Sequence, residues 1–510
     1  MKAYITSLLL LVCLTLSGTT YYVRNGGNDA AAGTSDVAAW AYCPGMVGYT
    51  GSATLSAGDS ILFKRGSVWR LQEIVPTNGT AGNYTYYGAY GAGNKPLLIG
   101  SSKANKTSDW VATGIANVWK RDSTYAVDVG NIVFNHYDDY GIKCMTDTPL
   151  PDSLDAQGEY WYSFSGDTVV LYSVLNPAIY YFDIEICPAI SGIQRGGWQY
   201  CIFQNLDFRN FSHDGSYLLG DAHHIYYYDL DFFCIGGVDY LATNYTSRMG
   251  NGITAYCASY GCPHDVTIER CRIENVYDDG ISPQGGSGAG QPYTCYNWTI
   301  RNNIIIDCHQ SYNIFWGNEL ATVYNIWFEN NTCINNDNGW SNRHPHQRPD
   351  PAFAARCVRV GILYSGDSIT IKNNIFYGSR DYLVSMYDYS LPYLSFDNNC
   401  YYPRGSEYYG RVFYTDYCSS LADWQTATGQ EPNAIANDPL FVSATNYHLQ
   451  GGSPCIGAGI SLGITSDFDK WQWKNPPSIG AYEYYPSSGF AIDKYGNFTK
   501  DKNGNFMKIQ

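Results

Sequence analysis

Seven short segments of this chain are variants of one pattern: "CIFQNLDF" (201–208), "IYYYDLDF" (225–232), "VTIERCRI" (266–273), "WTIRNNII" (298–305), "IWFENNTC" (326–333), "ITIKNNIF" (369–376) and "LSFDNNCY" (394–401). Successive starts lie 24 to 43 residues apart, which implies a unit near the shortest spacing with loops added to some turns. In each segment the first and third positions are apolar or aromatic, the alternation of a β-strand. The fifth and sixth are often Asn–Asn, after which apolar residues resume. A turn this thin cannot bury its own inner face and needs a neighbour above and below. Asn suits the corner because it tolerates the left-handed backbone and its amide can bond to the next coil. The pattern predicts an all-β chain wound as a right-handed parallel β-helix, a single-stranded solenoid.

The fourth position reads Gln204, Tyr228, Glu269, Arg301, Glu329, Lys372, Asp397. From Glu269 onward the charge alternates, as expected of an outward ladder with rungs ~4.8 Å apart. "GDSILFKRG" (58–66), "YTYYGAY" (84–90) and "KPLLIG" (95–100) read as opening coils, within an N-terminal cap and first-coil region at 19–103. Residues 104–186 break the rhythm with hairpin-like strands, which predicts an inserted antiparallel β-rich subdomain. Central coils follow at 187–435, a closing module at 436–486 and a polar tail at 487–510.

The net charge of −15 and the lack of a basic stripe argue against a nucleic-acid partner. An acidic polysaccharide would need a local basic patch to overcome that field. Residues 1–18, with Lys2 and an apolar run from Leu8 to Leu16, read as a secretory signal peptide too short to span a bilayer. The expectation is a secreted protein (periplasmic, extracellular or cell-surface) with no membrane span. Of sixteen cysteines, Cys257 and Cys262 are close enough to pair, while many others fall inside strand patterns as small buried hydrophobes. With no CxxC pair, a structural zinc site is not expected.

"TYYVRNGGNDAAAGTS", "GDSILFKRGSVWR", the Asn–Asn coils and the closing "SPCIGAG…SIGAYEY" resemble the secreted bacterial right-handed parallel β-helix, or pectate-lyase-like, superfamily of carbohydrate-active type. The resemblance implies the fold along nearly the whole mature chain. It is much less specific for activity, because members include polysaccharide lyases, glycoside hydrolases and non-catalytic surface proteins. The closing segment departs from its relatives, with "DFDKWQWKNPP" in place of an Asp-x-x-Gly-x-x-Arg-like stretch.

Eleven to thirteen positions into each coil the repeat places His213–Asp214, Asp278–Asp279, His309–Gln310, Asp337–Asn338 and Arg380–Asp381. One column along one edge is expected, with neighbouring entries roughly 5 Å apart. Glycosidases need two carboxyls ~5–5.5 Å apart for retention or ~6.5–9.5 Å for inversion, and adjacent coils can supply either. On this reading Asp278 and Asp279, with Asp214 or Asp337, flank a glycosidic bond, one held protonated by burial and like charge. His309 is then a proton partner or a sugar-orienting group. The structural alternative is that Asp–Gly and Asp–Asn are ordinary turn residues. "YDDYG" (137–141) repeats the motif inside the insertion and supports that alternative. Of the polygalacturonase motifs only the Asp–Asp pair has a counterpart, at Asp278–Asp279; "CHQS" stands where His-Gly would be.

Two long loops leave the scaffold near this column. One, "NRHPHQRPD", gathers Arg343, His344, His346 and Arg348, candidates for hydroxyl or carboxylate recognition or for an elimination base, or else an exposed Pro-rich loop. "YNIFWGNE" puts Trp316 near Glu319, which suits a sugar ring, though Trp316 packed inward with Glu319 as a solvated corner is the alternative. No cofactor is required; clustered Asp and Asn oxygens can bind calcium, as in the lyases the chain resembles. The expected function is polysaccharide degradation by a glycoside hydrolase using paired carboxylates. The alternatives are a calcium-assisted polysaccharide lyase and a non-catalytic glycan-binding or surface-attachment protein. Oligomeric state stays open.

Overall fold

The computed structural model describes residues 18–144, 153–163, 166–239, 248–258, 261–285, 294–314, 322–336, 340, 355–361, 363, 365–405, 407–413 and 416–486. Each coil contributes one short strand to each of three long sheets. The first sheet has ten parallel strands and the second nine; the third has nine, parallel except for its last, Asp416–Cys418. The chain is a parallel β-helix, as the repeat predicts.

Registers confirm the outward charge ladder: Glu269 pairs with Arg301, Arg301 with Glu329, Glu329 with Lys372, and Lys372 with Asp397. From Asn205 onward each rung turns between the first two sheets through one left-handed residue. Asn302, Asn330, Asn373 and Asn398 occupy the left-handed region at φ of 52–56°. The next Asn of each rung forms an internal stack. The Oδ1 of Asn331 accepts from Asn303 N and Nδ2 (both 3.0 Å), that of Asn374 from Asn331 (2.8 and 3.1 Å), and that of Asn399 from Asn374 (2.8 and 3.0 Å). The stack ends on Glu431, whose Oε1 accepts from Asn399 Nδ2 (2.7 Å) and Tyr401 OH (2.6 Å).

Inside the coil, rings stack on rings one rung away: Tyr87 on Phe203 at 5.3 Å, Phe208 on Phe232 at 5.2 Å and Tyr312 on Phe328 at 4.3 Å between centroids. Cys201, Cys271, Cys308, Cys333 and Cys357 share that core, which explains cysteines in strand positions. Cys257–Cys262 is a disulfide.

Between Ser102 and Pro188 the chain leaves the coil. It forms a four-stranded antiparallel sheet and a five-stranded sheet, antiparallel except where Ile142–Lys143 runs parallel to its neighbour. Their core includes Phe134 stacked on Tyr181 at 3.8 Å. This unit docks on the corner between the second and third sheets. Tyr137 OH donates to Asn210 Oδ1 (3.0 Å), and Ser212 Oγ donates to Cys187 O (2.8 Å).

Candidate active site

The corner between the second and third sheets holds the predicted column, and the third-sheet register fixes its order. Ser216, Ile253, Ile281, Tyr312, Val358 and Val384 stand opposite one another. Two residues upstream, the rungs read Asp214, Asn251, Asp279, Gln310, Arg356 and Tyr382; the pairs Asp279–Gln310, Gln310–Arg356 and Arg356–Tyr382 are direct. Two expectations change. The rung assigned to Asp337 belongs to Arg356, because residues 337–355 are an insertion and the third strand of that coil is Arg356–Val360. Asp337 itself lies outside the described residues. Asp214 and Asp279 are not neighbours, because the coil that starts at 225 also reaches the column and puts Asn251 between them.

Asn251 ties the two acids together. Its backbone N–H and Nδ2 donate to Asp214 Oδ1 (2.8 and 3.3 Å), and its Oδ1 accepts the N–H of Asp279 (3.0 Å). The other oxygen of Asp214 takes a hydrogen bond from His213 Nδ1 (2.6 Å). Asp214 is 1% exposed, whereas the His213 side chain keeps 26% of its surface in solvent. Burial works against charge on the His213 ring, but the Asp214 carboxylate outweighs it, so the imidazole pKa is raised. Glu73, whose Oε1 accepts the Ser191 N–H (2.9 Å), faces the same imidazole and has its pKa raised by burial. The exposed Arg195 lies 4.7 Å from the centroid of the Tyr217 ring, completing an open end of the column.

Farther along, the column is covered. Asp279 and Arg356 are each 1% exposed. Asp279 Oδ2 accepts from Ser282 Oγ and Asn313 Nδ2, both at 2.7 Å. Burial raises the Asp279 pKa, against those two donors and the nearby charges of Arg359 and Arg356. Burial and the neighbouring Arg359 disfavour charge on Arg356, pulling it down to about 9. Asp279 Oδ1, Gln310 Oε1 and Asn313 Oδ1 are buried with no partner among the described residues. These oxygens could suit a cation, but two guanidinium groups face the same carboxylate and oppose a divalent ion. Among the described residues no group of three or more His, Cys, Asp or Glu side chains converges as a metal site either.

The remaining candidates fall into two sets. Asp278 is half-buried, and its main chain links neighbouring coils: its carbonyl accepts from His309 N (3.0 Å) and Gln310 N (3.3 Å), and its N–H donates to Gly250 O (3.2 Å). His309 is as buried as Asp279, each at 1% exposure, and its ring stands beside the column rung of Gln310. Trp316, Glu319, Arg343, His344, His346 and Arg348 lie outside the described residues. The second YDD motif gains a place at the same corner: Trp340 stacks 5.7 Å from Tyr140 and 5.5 Å from Tyr277, and its Nε1 donates to Asn275 O (2.8 Å). Arg356, Arg359, Asn251 and Glu73 escaped the sequence pattern. The alternation in "RCVRV" (356–360) and "ITAY" (253–256) is the signal that could have marked both as third-sheet strands.

The architecture is a parallel β-helix with a charged and unevenly covered corner. No protein-family model matches the chain. No curated protein matches it by sequence. Among solved structures, pectate lyase Pel9A aligns over 92% of this chain and 96% of its own, at 14% identity and TM-score 0.43. XylC in complex with xylose aligns over 76% and 69%, at 13% identity and TM-score 0.43. The GH136 lacto-N-biosidase from Eubacterium ramulus aligns over 75% and 60%, at 14% identity and TM-score 0.43. At these identities the likeness is one of architecture.

Proposed function

We propose that this protein is an exported carbohydrate-active enzyme that hydrolyses a polysaccharide laid along the outer face of the third sheet. The observation that carries the reading is the column itself, where successive rungs present Asp214, Asn251, Asp279, Gln310 and Arg356. Asp214 and Asp279, two rungs apart, are separated by about 10 Å at the ordinary rung spacing. His213, oriented by Asp214 and raised in pKa, delivers a proton to the leaving oxygen. Asp279, made more basic by burial, takes the proton of the attacking water. The leader at 1–18 directs export, and intact-mass measurement of the mature chain tests it.

Elimination from an acidic sugar is a second reading, favoured by one observation. Arg356 and Arg359 supply the local basic patch that an acidic chain needs to hold a uronate, and Arg356 is the group whose charge is disfavoured. One experiment separates the readings: incubate the protein with a panel of neutral and uronate-bearing polysaccharides, following reducing ends and near-ultraviolet absorbance. New reducing ends without absorbance, abolished in His213→Gln and Asp279→Asn, support hydrolysis. A rise in absorbance replaces it with elimination. Retention of glycan without new ends would reduce the protein to a binding module.

A further inference from the structure

A pocket of about 270 Å³ lies on the outer face of the second sheet, between its last strands and the closing module. Three rings line it: Phe441 meets Tyr377 edge-on at 5.0 Å and Tyr447 at 5.4 Å between centroids. Asn335, Arg404 and Asp438 supply polar edges. Arg404 is exposed, donates to Asn335 Oδ1 at 2.6 Å and lies 5.5 Å from the Tyr377 ring. Gly378 makes room for that pair. Its φ is +68°, and a Cβ there would come within 2.8 Å of Arg404 Cδ and 3.2 Å of Asn335 Oδ1. The hydroxyls of Tyr377 and Tyr447 have no hydrogen-bond partner among the described residues. Asp438 spends one oxygen on the N–H of Leu440 (2.8 Å) and keeps the other.

We propose that this pocket is a second glycan-binding site, separate from the third-sheet column, which takes one neutral pyranose residue of a polysaccharide. Tyr377 stacks on Tyr402 at 5.4 Å and Arg272 lies 6.0 Å from the Tyr447 ring, so Phe441 is the ring left to meet a sugar's C–H face. The tyrosine hydroxyls, carboxylate and guanidinium around it suit the sugar's hydroxyls. One acidic and one basic side chain balance each other, so the pocket has no excess charge for a uronate. Asn335 adjoins Asn336, whose Nδ2 donates to Arg356 O (2.7 Å), so the pocket lies just around the corner from the column. A long glycan can be held at the pocket while another part of it meets the column, raising the local substrate concentration.

The test uses the full chain carrying Asp279→Asn, so that turnover does not confound binding. Calorimetry is run with gluco-, xylo-, manno- and galacto-configured hexasaccharides and with oligogalacturonate. Binding of at least one neutral probe is expected, weakened about tenfold or more by Arg404→Gln/Asp438→Asn and by Tyr377→Ala. Unchanged thermal midpoints show that the pocket variants fold. No binding of any neutral probe, indifference to the pocket variants, or preference for oligogalacturonate would each overturn the proposal. Cleavage assays on the parent protein, run in parallel, show whether the function proposed for the column stands or falls independently.

Discussion

Two corners of the same coil have opposite designs. Between the first and second sheets, Asn303, Asn331, Asn374 and Asn399 repeat rung after rung, and each amide is satisfied by the next. Between the second and third sheets no residue is repeated on successive rungs of the column: Asp214, Asn251, Asp279, Gln310, Arg356, Tyr382. Several acceptors there have no partner among the described residues. Burial does not distinguish the corners, since Asn331, Asp279 and Gln310 are all buried. What differs is whether the polar groups answer one another. The internal Asn stack is satisfied rung to rung and serves the scaffold, although the flanking Asn302 and Asn398 each keep one buried oxygen without a partner among the described residues. In the column the acceptors left over lie on the side chains of Asp279, Gln310 and Asn313.

The largest expected effect falls on the varied corner and on activity. Asp279→Asn keeps an oxygen for Ser282 and loses the base, so kcat should fall about 10³-fold while the unfolding midpoint moves little. The pH profile of kcat/KM sharpens the roles. Activity should rise as Asp279 deprotonates, through a pKa above the ordinary aspartate value, and fall as His213 loses its proton above the ordinary histidine value. His213→Gln should remove the alkaline limb. A variant that stays fully active without His213 moves the proton donor elsewhere on the corner.

On the repeated corner the effect should be on stability. Asn331 accepts twice from Asn303 and donates from Nδ2 to Ile300 O (2.9 Å) and Asn374 Oδ1 (3.1 Å). Asn331→Ala strands the Asn303 N–H and removes the side-chain donor to Ile300 O, while Asn374 Oδ1 keeps the backbone N–H of residue 331 and Asn303 Nδ2 keeps Ile268 O. The loss should be about 3 kcal/mol, at 1–3 kcal/mol per unsatisfied group. Urea denaturation measures it. A loss under about 1 kcal/mol would mean that the stack is decoration and the contrast between the corners is false.

The same contrast explains what could be read from the sequence. Asn–Asn recurs at fixed offsets, so the repeat gave away the fold, the left-handed turn and the charge ladder from Glu269 to Asp397. The column was legible only where its coils lacked insertions. Asp279 and His309 come three residues after the second-sheet strands Arg272–Val276 and Ile304–Ile306, whereas residues 337–355 delay the next third-sheet strand, and a count along the chain landed on Asp337 where the fold puts Arg356. Asn251 was missed for the same reason, after the loop that follows Ile235. Pairing His213 with Glu73 depends on coils 140 residues apart in sequence, which no local pattern encodes.

Glu431 tests the end of the repeated stack. Burial raises its pKa from 4.5 to about 7, against the donors Tyr401 and Asn399. Because the folded state holds this proton more tightly than the unfolded chain, the stabilisation is complete below about pH 4.5 and is lost as pH rises through about 7. The pH-dependent loss should approach about 3 kcal/mol by pH 8. Glu431→Gln retains an acceptor for Asn399 and Tyr401 without a titrating proton. It should flatten that dependence and make the variant more stable than the parent at pH 8. A parent protein whose stability does not change between pH 5 and 8 removes Glu431 from this role.

The smallest stability change should come from Gln310, which has an amide like Asn331 and is also buried, at 3% exposure. Its Oε1 has no partner among the described residues, so truncation strands no donor that depended on it. Removing an acceptor that is already unsatisfied also removes its desolvation penalty, which offsets the packing lost with the side chain. Gln310→Ala should therefore change unfolding free energy by less than about 1 kcal/mol. If the oxygen waits for a substrate hydroxyl, the same variant should raise KM several-fold with kcat nearly unchanged, the mark of lost binding shared by ground and transition states. A stability loss as large as that of Asn331→Ala would show that Gln310 is satisfied within the fold, and the unsatisfied character of the corner would go with it.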